Sequence, residues 1–139
     1  MASVSVRQEY SQSAESVWAV VGDPAGAANW IPSLDTSRLD GEVRHVVFTD
    51  GNPARERIVS HDDDDSRTYT YEYIDGPLPL AKYTSTIRVD ATANGSVVSW
   101  DAEFTAAGDD PAAVESQLET GIGEIYQGAL DEVARVAAP

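Results

Sequence analysis

The stretch from Asp110 onward constrains the fold most, because it reads as one long helix with a single apolar face. Val114, Leu118, Ile122, Ile125, Ala129, Val133 and Val136 recur at three- and four-residue spacing, the period that lines one side of an α-helix. Asp110 is placed to cap it and Pro111 to be its first residue. Glu115, Glu119, Glu124 and Glu132 fall mostly off the stripe. A helix of this kind must bury its stripe against another layer, so what precedes it has to supply that layer.

What precedes it is mostly strand. "SVSVRQEY" alternates, with Val4 and Val6 on one face. Ser13 then caps a short helix, "AESVWAVVGD", whose Val17, Val20 and Val21 form its apolar side, and Pro24 opens a second short helix that Pro32 ends. From Leu34 to Ala106 the pattern is strand and turn repeated, through "DGE", "DGNP", "HDDDDS", "DGPLPL" and a tight "NG" hairpin. Connections this short join antiparallel neighbours. The expected fold is α+β: a curved antiparallel sheet, seven-stranded, wrapped round the long C-terminal helix, with two short helices after strand 1 closing an end. At 139 residues this is one domain, 1–139. Glycines at 121, 123 and 128 interrupt the long helix at about 0.8–1.0 kcal/mol each. They imply either close packing on the sheet or space left for a guest.

Charge narrows the function classes. Nine Lys and Arg stand against 24 Asp and Glu, a formal net charge of −15, which repels phosphate backbones and anionic membrane surfaces. Nucleic acid and stable membrane association are therefore not expected. No apolar run is long enough to span a bilayer and no signal peptide is legible. With no cysteine as well, the expectation is a cytoplasmic monomer or weak homodimer. The two histidines, His45 and His61, join no ligand-spacing motif, and "DDDD" at 62–65 lacks the spacing of a calcium loop. No metal and no other cofactor is expected.

The most informative strand is "TYTYEY". Tyr69, Tyr71 and Tyr73 occupy every second position and so share one face. Thr70 and Glu72 suit water on the other, which turns the phenols inward. An unpartnered buried hydroxyl costs roughly 1–3 kcal/mol, so three inward phenols call for each other, for water or for a ligand.

The order of strand, two short helices, six strands and long helix resembles the helix-grip fold of the START-like (SRPBCC) superfamily. That group includes the birch-pollen-allergen-like proteins and the polyketide cyclase/dehydrase and lipid-transport family. "NWIPSL", "GEVRHVVFTDG", "ARERIVSHDDDDSRTYTYEYIDG" and "GSVVSWDAEFTAAG" carry the resemblance over nearly the whole chain. Two loops are also similar to those the plant abscisic-acid receptors close over their ligand. "DGNPARERI" has their Gly-x-Pro-Ala at Gly51, Pro53 and Ala54, and "GPLPLAKYTS" matches their second loop at Gly76, Leu80 and Tyr83. The second loop carries Pro77, Leu78 and Pro79 where those receptors have a histidine and an arginine. Pro32 falls near the place of their anchoring lysine. Hormone binding is not implied, only a layout of loops at a pocket mouth, with Gly51, Pro53, Pro77, Leu78 and Leu80 as gate residues.

The resemblance implies that the face shared by Arg44, Val46 and Phe48 turns inward. A hairpin about "TDGN" then sets Arg44 near Glu56. If Glu56 points inward, alternation carries Ile58 and Ser60 with it. Tyr69, Tyr71, Tyr73, Tyr83, Ser85, Trp100, Ile122 and Tyr126 complete the expected ligand-contacting set. The function expected is binding or carrying a small hydrophobic or aromatic molecule in an internal cavity. The alternative is a polyketide cyclase/dehydratase-type enzyme with Glu56, Arg44 and Tyr71 as candidate proton-moving groups.

Overall fold

The computed structural model describes residues 1–139. Seven strands form one antiparallel sheet: β1 (Ala2–Tyr10), β2 (Leu34–Asp40), β3 (Val43–Phe48), β4 (Pro53–Asp62), β5 (Thr68–Asp75), β6 (Leu80–Thr92) and β7 (Gly95–Ala106). Their spatial order is β1-β7-β6-β5-β4-β3-β2. Six strands are thus a meander, and β1 returns to pair with β7 from Ala2↔Phe104 to Tyr10↔Ser96. Helix α1 (Ala14–Val21) follows β1, with the Ser13 hydroxyl accepting from the Ser16 N–H. The long helix α2 (Pro111–Val136) lies across the sheet, capped by Asp110 with Pro111 first.

Three local expectations are corrected. The second short element is a 3-10 helix, Pro24–Asn29, capped by the Asp23 side chain. The β6–β7 hairpin turns through Ala93 and Asn94, because Thr92 pairs directly with Gly95. On α2, Val136 is exposed at 41%, whereas Tyr126, Leu130 and Ala137 are buried. The helix therefore turns its last residues on a slightly different line from the one the aliphatic spacing drew.

Both edges of the sheet are dressed. The 3-10 helix is held to β2 by Ser37, whose hydroxyl donates to the Ala25 carbonyl at 2.7 Å and accepts from the Ala28 N–H at 2.9 Å. On the other side α2 is tied to β1: the Ser3 N–H reaches Glu119 at 3.2 Å and the Tyr10 hydroxyl the Leu130 carbonyl at 2.6 Å. Gln12 donates to the Ala134 carbonyl at 2.9 Å. Unpaired strand edges template pairing with other chains, and such covers suppress it.

The start of the β6–β7 return is close to the end of β1. A Cβ on Gly95 would lie 2.1 Å from the Tyr10 carbonyl oxygen and 2.9 Å from the Ser11 carbonyl carbon. Backbone cannot give way as a side-chain tip does, so Gly95→Ala is expected to destabilise the protein by about 1–3 kcal/mol. Urea unfolding monitored by tryptophan fluorescence checks this. An unchanged midpoint would show that the two segments separate freely.

The acidic "HDDDDS" segment is a hydrogen-bonded turn. The Asp62 carboxylate accepts from the Asp64, Asp65 and Ser66 N–H groups and the Ser66 hydroxyl. These bonds, led by that from Asp65, hold its carboxyl below the usual aspartate range. Asp63 accepts from Trp18 Nε1 at 2.9 Å and pairs with His61 Nε2 at 3.0 Å. The helix glycines do not pack closely on the sheet: nothing lies within 4 Å of a Cβ at Gly121 or Gly128, and one at Gly123 meets only Val4 at 3.9 Å.

Candidate functional site

Register places the site's central pair. Arg44 on β3 is directly opposite Glu56 on β4, and Glu56 is opposite Tyr73 on β5. Arg44 is 3% exposed, and a cation so placed has to be paired. Its Nε donates to Glu56 Oε1 at 2.8 Å, and its Nη1 reaches the Tyr69 hydroxyl at 3.2 Å and the Pro24 carbonyl at 3.3 Å. The guanidinium also lies 4.6 Å from the centre of the Tyr71 ring, in cation–π range. Burial opposes the charge on Arg44, but Glu56, with Tyr69 and Tyr71, outweighs it and holds the guanidinium protonated above its ordinary range.

Two bulges decide what joins this pair. Between Ile58 and Ser60 the β4–β5 register slips by a residue, so Ile58 faces Tyr71 but His61 faces Tyr69. A one-residue slip moves every later side chain to the opposite face. Ser60 is therefore exposed, contrary to simple alternation, and His61 packs against Trp18 and Tyr69. A second slip between Leu80 and Lys82 lets Leu80 and Tyr83 both turn inward although they are three residues apart.

Three of the phenols, Tyr71, Tyr83 and Tyr126, converge on one point. Tyr126 on α2 is the hub: its hydroxyl meets those of Tyr83 and Ser85, the latter at 2.7 Å, and that of Tyr71 at 3.5 Å. Its ring stacks on Trp100 at 3.7 Å and 7°, and Trp100 Nε1 donates to the Ser85 hydroxyl at 3.0 Å. Burial, the leading cause in each case, pushes the Tyr83 and Tyr126 phenols well up, so both stay neutral. Tyr73 departs from its two partners: its hydroxyl accepts from the Leu78 N–H at 3.1 Å and so fastens the β5–β6 loop.

Between these groups and α2 lies a cavity of about 80 Å³. Of the expected ligand-contacting residues, Arg44, Val46, Phe48, Glu56, Tyr71, Tyr73, Tyr83, Trp100, Ile122 and Tyr126 line it, as do the gate residues Leu78 and Leu80. Ile58, Tyr69 and Ser85 are not among its walls. Tyr69 and Ser85 are buried behind it, bonded to Arg44 and Tyr126. Gly51 and Pro77 on the loops, and Pro53 at the start of β4, are exposed and do not reach it. Gly51 serves the β3–β4 turn at φ +90°, a conformation that favours glycine. Ile31, Ser33, Leu34, Ala54 and Ile125 complete the wall and were not foreseen as contacts. His45 lies on the outer face, in a groove with Arg38, Arg55 and Asp75. No group of His, Cys, Asp and Glu side chains is arranged to hold a metal ion, and no helix is long and apolar enough to cross a membrane.

Comparison with known proteins agrees with this architecture. The family model for polyketide cyclase / dehydrase and lipid transport matches residues 1–138. No curated protein sequence matches significantly. Among solved structures, XoxI from Bacillus cereus is 28% identical, with a TM-score of 0.89 over 99% of this chain and 96% of that one. A START superfamily protein from Mycobacterium smegmatis, 11% identical, superposes with a TM-score of 0.80 over 97% and 96% of the two chains. The major latex-like protein 151 of Panax ginseng, 13% identical, does so at 0.78 over 99% and 97%. At those identities the last two share the fold alone. That fold is the helix grip expected from the order of elements.

Proposed function

This chain belongs to the polyketide cyclase/dehydrase and lipid transport family, and from that premise we propose that it binds a small hydrophobic or aromatic molecule between its sheet and α2. The supporting observation is the composition of the cavity wall: 14 of its 17 residues are hydrophobic, and the polar remainder centres on the Arg44–Glu56 pair. Apolar walls with a few converging polar groups are what small-molecule sites consist of. At about 80 Å³ the cavity is well below the roughly 300–1,000 Å³ of drug-sized sites. It is also below the roughly 150 Å³ of a cavity that binds benzene, so a guest of ring size or larger requires the loop carrying Leu78 to move.

One observation favours a second reading. The Glu56 carboxyl stands on the cavity wall with only one oxygen engaged by Arg44, beside phenols that burial keeps neutral. A positioned carboxylate next to un-ionised hydroxyls suits proton transfer. In a cyclase or dehydratase acting on a polyketide or aromatic substrate, Glu56, Arg44 or Tyr71 would move protons during enolisation or loss of water.

Native mass spectrometry of protein purified gently from its own host tests both. A stoichiometric adduct that is released as an apolar or aromatic compound on denaturation is the expected result. Conversion of a supplied precursor into a different bound compound selects the enzyme. An adduct-free protein that shows no thermal shift with aromatic, sterol-like or polyketide-like compounds overturns both readings.

A further inference from the structure

The outer face of the sheet carries a row of cationic side chains that the cavity does not use. Register sets Arg38 on β2 directly opposite His45 on β3, and His45 opposite Arg55 on β4. Residues opposite one another share a face, so all three point away from the cavity. His45 is half-buried, whereas Arg38 and Arg55 on either side of it are exposed. The row is thus sunk at its centre and raised at both flanks, a groove of about 360 Å³ that Thr36 also lines. Asp75, opposite Arg55 on β5, is the one carboxylate on its wall. It is already engaged, because Arg55 donates to it from both Nε and Nη2. That fork holds Arg55 in place and leaves its Nη1, with two N–H groups, free. The protein's ion pairs include neither Arg38 nor His45.

In a chain of net charge −15, this wall sets two arginines against one aspartate, a local excess of positive charge. Between the arginines lies an imidazole, which offers an N–H in either protonation state. Arg38 and Arg55 are two strands apart, about 10 Å at the backbone, and their long side chains can close on an ion above His45. A carboxylate brings one charge and two oxygens in one plane, which suits a single guanidinium fork. A phosphate group brings a charge of about −1.5 to −2 and three acceptor oxygens on different sides, enough for both guanidiniums and the imidazole at once. We propose that the groove binds a phosphate dianion, free or as the end group of a small soluble phosphomonoester. The same net charge that repels nucleic acid and anionic membranes restricts the source to small molecules. The groove is on the opposite face of β3 and β4 from the cavity, so it stands or falls independently of the binding reading above.

Titration of the full chain with inorganic phosphate at neutral pH tests this, followed by amide NMR with ionic strength held constant by chloride. The expected result is a saturable shift confined to Thr36, Arg38, His45, Arg55 and their neighbours, with phenyl phosphate acting at the same place. Arg38→Gln is expected to weaken binding roughly tenfold through loss of one charge-assisted partner. Arg57→Gln removes the same charge one row along the outer face of β4, and through screened water it weakens binding only about twofold. Both side chains are exposed, so neither substitution threatens the fold. Acetate binding as tightly as phosphate overturns the selection of a dianion. An unsaturable drift spread over the surface, or equal losses in the two variants, reduces the row to ordinary surface charge and overturns the site.

Discussion

Glu56→Ala is expected to lower stability by about 3 kcal/mol, the low end of what breaking a buried ion pair costs. The loss comes from what is left behind. Arg44 is 3% exposed and enclosed by Tyr69, Tyr71 and the Pro24 carbonyl, so without Glu56 it is a charge with no counter-ion and little water. The low end applies because the Glu56 side chain retains 16% of its exposure, which lets some water reach the site. The companion double variant, Arg44→Met with Glu56→Leu, regains most of that loss, because replacing both partners by apolar groups removes the desolvation penalty with the attraction. Urea denaturation of wild type and both variants reads this directly. A single-variant loss below about 1 kcal/mol would place the pair with ordinary surface bridges.

Trp100→Ala has the second large effect, about 3–5 kcal/mol, as expected for deleting a buried indole. Trp100 is 2% exposed, stacks on Tyr126, touches Trp30 at 5.2 Å between ring centres and donates to Ser85. Its loss leaves an apolar void continuous with the existing cavity. A void of that kind binds what fits it, so indole is expected to raise the melting temperature of the variant by mass action more than that of the wild type. Equal shifts in the two proteins would show that the void adds no binding space. A variant that melts like the wild type would show that the hub packs without its stacking partner.

Much of this was legible in the sequence because it followed from periodicity. The α2 stripe as far as Val133, the Ser13 and Asp110 caps and the inward face of Tyr69, Tyr71 and Tyr73 stand in the structure. So does the Arg44–Glu56 pairing, which needed only a hairpin of known position. The misses occur where alternation is interrupted. The bulge at Ile58/Ser60 sends Ser60 to solvent and brings His61 onto Tyr69, and no residue in "RIVSHD" announces an extra unit in one strand. Of the three β5 phenols only Tyr71 meets another phenol, Tyr126, on an element about 50 residues away. Tyr69 takes Arg44 and Tyr73 the Leu78 N–H, and choosing among those partners required positions that local spacing does not give. Ile31, Ser33 and Leu34 were visible only as part of "NWIPSL". Their place on the wall depends on how the 3-10 helix folds back on β2, which local spacing does not encode.

The pairing of β1 with β7 has a consequence for the chain as it is made. Ala2 waits for Phe104, and at about 5–20 residues per second roughly a hundred residues of synthesis take on the order of 5–20 s. Through that interval the first strand has no neighbour on the ribosome. Its sequence, ASVSVRQEY, interleaves two valines with serines, an arginine and a glutamate, and has no continuous apolar run to recruit another nascent chain. The strand whose partner is made last is thus one able to remain single.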